Sequence, residues 1–306
     1  KELRDIMSVD VRKWEDMNID CLTNVFGRVG WEALTLHLPL VCKSWYKVSL
    51  YPQFWKNLDF KSLRPDYIVS TKCIVDENVL LPEDIMDPLS IETRDLDLLI
   101  VKVAISRSCG MATKLVVPFR FMDDLVDDFL KSQSFLQGDE KAFMKLFSML
   151  RSLEFLVLGP SDDYLRAILI GISHHCKNFL ALSTNSYICE EEASAIVELL
   201  PSIKYLKLRG SFISHNSLMV ILDGCKELVL LDVSDCTGFD AGDEEILNLA
   251  SRIKIFISEG SSVDGYFRFL DFGDNYYVGD YDSSEDNFSD YYVGDYESCL
   301  TNWLSS

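Results

Sequence analysis

Leu153-Glu154-Phe155-Leu156-Val157-Leu158, Ile203-Lys204-Tyr205-Leu206-Lys207-Leu208 and Leu228-Val229-Leu230-Leu231-Asp232-Val233 share one pattern. The first, fourth and sixth places are apolar. Phe179-x-x-Leu182 and Ile253-x-x-Phe256 are weaker copies. The copies begin at 153, 179, 203, 228 and 253, so successive steps are 26, 24, 25 and 25. A short alternation of apolar and other residues is a strand signal. Its return at a nearly constant step points to one structural unit used several times.

The residues between the copies complete that unit. Three places before each strand lies a small or apolar residue: Leu150, Cys176, Leu200, Cys225 and Ala250. Upstream of these are helical patterns. Asp243 is placed to cap a helix holding Ile246, Leu247 and Ala250, and Ser214 one holding Leu218, Ile221 and Leu222. Residues 190–200 carry Ala193, Ile196, Val197 and Leu200 on one face. One strand plus one helix cannot bury its own apolar face, so neighbours must stack, as in leucine-rich repeats. Cys176 and Cys225 are then core residues rather than nucleophiles. The fold class is α/β, with the repeats over residues 95–258. An earlier copy is read at Ala112-x-x-Leu115-x-Val117, with Cys109 at the equivalent upstream place. It lies 41 residues before the next, and the excess, around Asp123-Asp124 and Asp127-Asp128, is expected to project as a loop or longer helix.

Residues 11–60 are different. They hold four of the five Trp and read as three short helices. Asn18 is placed to cap Leu22, Val25, Phe26 and Val29, and Gly30 to end that helix. A second helix would hold Trp31 and Leu34. Pro39 would open a third, with Val41, Trp45 and Val48 on one face, and Tyr51-Pro52 would stop it. So small a unit has a thin core. Its aromatics are expected to pack either on the next domain or on another polypeptide, and patterning alone favours neither.

This stretch resembles the F-box, whose pattern opens Leu-Pro-x-Glu-Ile-Leu-x-x-Ile-Phe and continues through a central Leu, Val-Cys-Lys-x-Trp and a Leu-Trp pair. The counterparts are Met17-Asn18-Ile19-Asp20-Cys21-Leu22-Thr23-Asn24-Val25-Phe26, Leu34, Val41-Cys42-Lys43-Ser44-Trp45 and Phe54-Trp55. Asn18 stands in place of Pro, and Cys21 in place of Ile. Trp55-Lys56-Asn57-Leu58-Asp59-Phe60 looks like the family's lead into a first strand. With the repeats behind it, and with Trp14-Glu15 and Leu115-Val116-Val117-Pro118, the chain resembles the plant F-box/leucine-rich-repeat proteins.

The resemblance implies a non-catalytic substrate receptor of a Skp–cullin–F-box (SCF) ubiquitin ligase. Its F-box would dock on a Skp-type adaptor, and through it a cullin, by Leu22, Val25, Phe26, Leu34, Val41, Cys42 and Trp45. Its substrate, an unidentified protein, would meet the concave strand-lined face. Strand side chains alternate, so the third and fifth residues of each copy point there: Phe155, Val157, Tyr205, Lys207, Leu230, Asp232, Ile255 and Ile257, with Arg209 beyond. Lys207 and Arg209 read as a small basic spot, which predicts an apolar substrate segment with an acidic neighbour. The competing reading is a repeat scaffold whose N-terminal helices cap the solenoid and bind no adaptor.

Composition narrows the classes further. The net charge is −20, from 29 basic and 49 acidic residues. Residues 259–306 hold eleven acidic residues and one basic, Arg268, so half of that charge sits there. Phosphate backbones repel such a chain, and nucleic acid is not an expected partner. A membrane is not expected either, because no apolar run reaches the length of a span. The nine Cys are scattered, with no CxxC pair, which suits a reducing compartment, the nucleus or cytoplasm, and no structural zinc. Glycine-rich phosphate loops, GxSxG and HExxH are absent, and no cofactor is expected. His174 and His175 are neighbours on a helix end and point apart. Residues 61–94 read as linker and first strand region. The repeated Tyr-Tyr-Val-Gly-Asp-Tyr of residues 276–281 and 291–296 marks an acidic tail expected to be disordered. Calcium at Asp274, Asp280 and Asp282 lacks the EF-hand spacing. Ser283 and Ser284, before Glu285-Asp286, are weak candidates for phosphorylation.

Overall fold

The computed structural model describes residues 17–60, 93–117, 139–159 and 164–263. Among them, seven short strands form one parallel sheet in chain order: β1 (Asn57–Asp59), β2 (Lys114–Val117), β3 (Phe155–Leu158), β4 (Ala181–Ser183), β6 (Tyr205–Lys207), β8 (Leu230–Asp232) and β9 (Ile255–Ile257). A second parallel ladder pairs β5 (Tyr187–Ile188) with β7 (Phe212–Ile213), and bridges from Phe212 to Thr237 and from Thr237 to Ser262 extend it. Helices α3 (Thr93–Arg107), α4 (Asp139–Ser148), α5 (Leu165–His175), α6 (Glu190–Leu199), α7 (His215–Gly224) and α8 (Glu244–Ala250) lie between the strands. This is the strand-and-helix solenoid that the 25-residue step predicts.

Register explains the step. Leu58, Leu115, Leu156, Leu182, Leu206 and Leu231 stand side by side across the sheet, and all are buried. Each repeat supplies one rung of an apolar row that its neighbours seal. The row ends at Phe256, which is half-buried. The helices behind it approach closely. A Cβ on Gly224 would collide with a Val197 methyl, and one on Gly171 would come within 2.5 Å of the Phe147 ring.

The turns repeat as faithfully as the strands. Ser186, Ser211, Cys236 and Ser261 are 25 residues apart and buried. Ser211 Oγ accepts from the Ser186 N–H at 3.0 Å, and Ser261 Oγ from the Cys236 N–H at 2.9 Å. Ser261 Oγ also donates to the Val233 carbonyl, and Cys236 Sγ to the Leu208 carbonyl at 3.0 Å. Backbone groups in a buried turn need partners, and these side chains supply them. Gly210, Asp235 and Gly260 share one place in the turn, with φ of 70°, 54° and 80°. Asp is among the few side chains that tolerate that left-handed region.

The helix caps follow the sequence. Asn18 accepts from the Asp20 N–H, Ser214 from Ser217, and Asp243 from Glu245 and Ile246. Three expectations need correction. Helix α1 (Ile19–Phe26) ends at Gly27 rather than Gly30, since the Gly27 N–H already bonds the Thr23 and Val25 carbonyls. The middle helix of the N-terminal unit is a wide π-type turn, Ala33–His37, running into a 3₁₀ turn, Leu38–Leu40. Pro39 has no N–H to offer a regular turn there. Cys109 is exposed at φ 48°, so it does not play the core role of Cys176 and Cys225. The expectations for residues 61–92, for the insertion around Asp123 to Asp128 and for the tail beyond 263 lie outside the described residues.

The N-terminal unit closes one end of the solenoid. Strand β1 extends the sheet, and Trp31 packs on Phe60 with ring centroids 5.3 Å apart. Trp55 is fully buried and its Nε1 donates to the Ser49 carbonyl at 2.9 Å. The Arg107 guanidinium, at the end of α3, lies 5.3 Å from the Trp55 ring. One apolar core runs without a break from Leu22 to Ile253.

Candidate protein-interaction surfaces

Helix α1 sorts its apolar residues onto two sides. Leu22 and Phe26 turn inward and are fully buried, while Ile19 and Val25 are 54 % and 49 % exposed. Helix α2 (Lys43–Ser49) packs on α1 through Trp45, whose ring meets Phe26 edge-on at 5.4 Å. Leu40 and Val41 just before it are 54 % and 50 % exposed. Tyr51, after α2, is 39 % exposed and stacks on Phe54. Leaving five large apolar side chains in water on so short a unit costs free energy unless something covers them.

The seven adaptor-facing residues expected from the sequence therefore divide. Val25 and Val41 lie on the surface, and Cys42 and Trp45 are half-buried. Leu22, Phe26 and Leu34 do not face out. They are sealed in the chain's own core, where Phe26 packs on Trp45 and Phe54. Ile19, Leu40 and Tyr51 were not singled out by sequence. Val41 was read as part of a helix face, but α2 starts two residues later and leaves it in the preceding turn.

The strand-lined face also departs from its reading. Phe155, Tyr205, Ile255 and Ile257 are half-exposed there, as expected of strand positions that point outward. Val157, Lys207, Leu230 and Asp232 are buried, so they are not open contact residues. Lys207 reaches Asp232 on the next strand at 3.7 Å. Arg209 donates through Nε and Nη2 to one oxygen of Asp235, at 3.0 and 2.8 Å. The basic spot is thus neutralised inside the chain. Arithmetic was enough to see this, since Asp232 is one step of 25 beyond Lys207. Lys114 and Asp59 make a third cross-strand pair, at 4.0 Å. The row also includes Ala181 and Ser183, which the sequence reading left out.

Titratable groups elsewhere follow burial. Desolvation raises the Cys176 and Cys236 thiols to about 12 and the Cys225 thiol to about 11. Thiols held so far above their usual value are poor nucleophiles at neutral pH. Partial desolvation, then the charges of His174, Arg151 and Lys177, hold His175 below the ordinary imidazole value. The two imidazole centroids are 6.4 Å apart on the exposed end of α5. Among the described residues no group of three His, Cys, Asp or Glu is placed to hold a metal ion. None of their helices is long and apolar enough to cross a membrane.

Fold and surfaces define a class: a leucine-rich-repeat solenoid closed at its N-terminal end by a small helical unit with exposed apolar side chains. No family model matches the chain. An F-box/LRR-repeat protein of Arabidopsis thaliana is 27 % identical over 237 residues, covering 73 % of this chain and 72 % of the relative. Another F-box/LRR-repeat relative from the same plant is 23 % identical over 288 residues, covering 90 % of this chain and 86 % of its own length. The Arabidopsis F-box protein SKIP19 is 24 % identical over 243 residues, 73 % of this chain and 69 % of its own. In the order of helical unit and repeats, and over most of its length, the chain is similar to these plant F-box/leucine-rich-repeat proteins.

Proposed function

We propose that the chain is the substrate-recognition subunit of a Skp–cullin–F-box ubiquitin ligase. The observation that carries this is the set of exposed apolar residues on an otherwise finished helical unit: Ile19, Val25, Leu40, Val41 and Tyr51. With half-buried Cys42 and Trp45 they offer an adaptor a greasy surface whose central members would supply most of the binding energy. Leu22, Phe26 and Leu34 hold that surface in shape from beneath. The repeats present a substrate on their strand-lined face, chiefly through Phe155, Tyr205, Ile255 and Ile257. The chain contributes proximity rather than chemistry: it holds a substrate beside a transferable ubiquitin and raises the effective concentration. The seven free cysteines of the described residues suit the nucleus or cytoplasm.

Co-expression with a Skp-type adaptor tests the reading. Val25→Asp with Val41→Asp is expected to lower co-purification at least about tenfold, since two buried carboxylates would each oppose docking. The thermal unfolding midpoint of the chain alone should hardly move, because both positions are exposed. Undiminished co-purification would count against adaptor docking at this surface. It would favour the second reading, a scaffold whose helices merely cap the solenoid. That reading draws on Leu22, Phe26, Trp31 and Trp55 being buried within the chain itself.

A further inference from the structure

The strand-lined face ties up outward-pointing charges in pairs, in a strongly acidic chain. Among the described residues, three ion pairs join neighbouring repeats along it: Lys114 with Asp59 at 4.0 Å, Lys207 with Asp232 at 3.7 Å, and Arg209 with Asp235 at 2.8 Å. Their formal charges cancel, whereas the chain as a whole carries −20. Between these pairs, at the outward positions of the strands, stand Phe155, Tyr205, Ile255 and Ile257, all half-exposed.

Resting on the reading above that this face holds the substrate, we propose that the segment it takes is apolar and carries no charge at the contact. An acidic segment would have to win Lys207 away from Asp232. That would leave a buried carboxylate without its counter-ion, which is strongly unfavourable. A basic segment would meet the mirror-image problem at Lys207. The field of a chain at −20 also repels acidic partners before contact, over roughly a Debye length of 8–10 Å. Short-range apolar contact has no such competitor. Aromatic and branched aliphatic side chains are the complement of a surface built from Phe, Tyr and Ile. The sequence expectation of an acidic neighbour falls with the basic spot that motivated it.

A random twelve-residue peptide display library, panned on the full chain, tests this directly. Peptides that also bind a Tyr205→Asp, Ile255→Asp variant are removed by counter-selection. Tyr205→Ser alone serves if that variant fails to fold by circular dichroism. The face-dependent peptides are expected to be enriched in Leu, Ile, Phe, Trp and Tyr, with no excess of Asp, Glu, Lys or Arg. Their affinities should change less than about threefold between roughly 50 and 500 mM salt, because little charge is involved. Acidic or basic peptides that depend on the face, or a salt effect beyond about tenfold, would overturn the inference while leaving the face as a docking surface. No face-dependent peptide at all would overturn that reading as well.

Discussion

The repeats and the N-terminal helices bury apolar side chains by different rules. In the repeats, Leu156, Leu182, Leu206 and Leu231 sit in one row with at most 1 % exposure, because each unit is finished by the next. In residues 17–60 the apolar side chains separate into a sealed set, with Leu22, Phe26, Leu34 and Trp55, and an open set, with Ile19, Val25, Leu40 and Val41. The first set belongs to the solenoid, for which these helices serve as an end cap. The second set has no place in that cap. The difference teaches that richness in large apolar residues is not by itself a sign of a binding surface. A pattern of Leu, Phe and Trp mixes residues that build a surface with residues that are the surface.

Truncation separates the two sets most sharply. Phe26→Ala removes a fully buried ring that touches Trp45 and Phe54, and is expected to cost about 3–5 kcal/mol of stability. Val25→Ala, one residue away and exposed, should stay within about 0.5 kcal/mol. Chemical denaturation of the two variants compares them. Equal losses would mean that Val25 is structural and that the open set is not open. Within the repeats the corresponding experiment is Ser261→Ala. It strips the partner from the buried Cys236 N–H and the Val233 carbonyl, and should cost about 1–3 kcal/mol. A neutral result would show that the 25-residue turn ladder is decoration and that the apolar row alone holds the solenoid.

Much of this was legible in the sequence, and the reasons differ by region. The step from 153 to 253 fixes strand, turn and core row together, since one register error would expose every leucine of the row. Cap residues are local devices, and Asn18, Ser214 and Asp243 all act as read. The N-terminal helices were placed to within a few residues, but which way each side points was not visible. Leu22 and Val25 are alike in hydropathy, and only the packing of α1 on α2 and the core behind it decides between them. Cys109 misled for a similar reason: its offset matches Cys176, but a left-handed turn lifts it out of the core. The ion pair Lys207–Asp232 could have been found by adding one repeat length to the cation, and Arg209–Asp235 lies one residue beyond that step. Asp59 with Lys114 could not, because residues 61–94 break the repeat count.

The smallest expected effect appears only in alkali. It concerns cysteine, which the two regions use differently. Cys176, Cys225 and Cys236 are buried in the repeats, whereas Cys21 on α1 is exposed. Burial raises the three thiols from an ordinary value near 9 to about 12, 11 and 12. The folded chain therefore keeps protons that the unfolded chain gives up as pH passes 9. Between the two values the folded state binds more protons, so the slope of unfolding free energy against pH is negative. The contribution is intact below about pH 9 and is lost progressively towards pH 11 to 12. Replacing all three by Ala would change this curve at high pH as well as removing small core groups at every pH. Reaction with a thiol reagent avoids that ambiguity. At pH 8 the native chain should label Cys21 and Cys109 quickly, and the three buried thiols only at the rate of unfolding. Labelling of Cys225 as fast as Cys21 would mean that the repeats open locally as readily as the N-terminal helices, and the contrast between a sealed array and a half-open cap would fail.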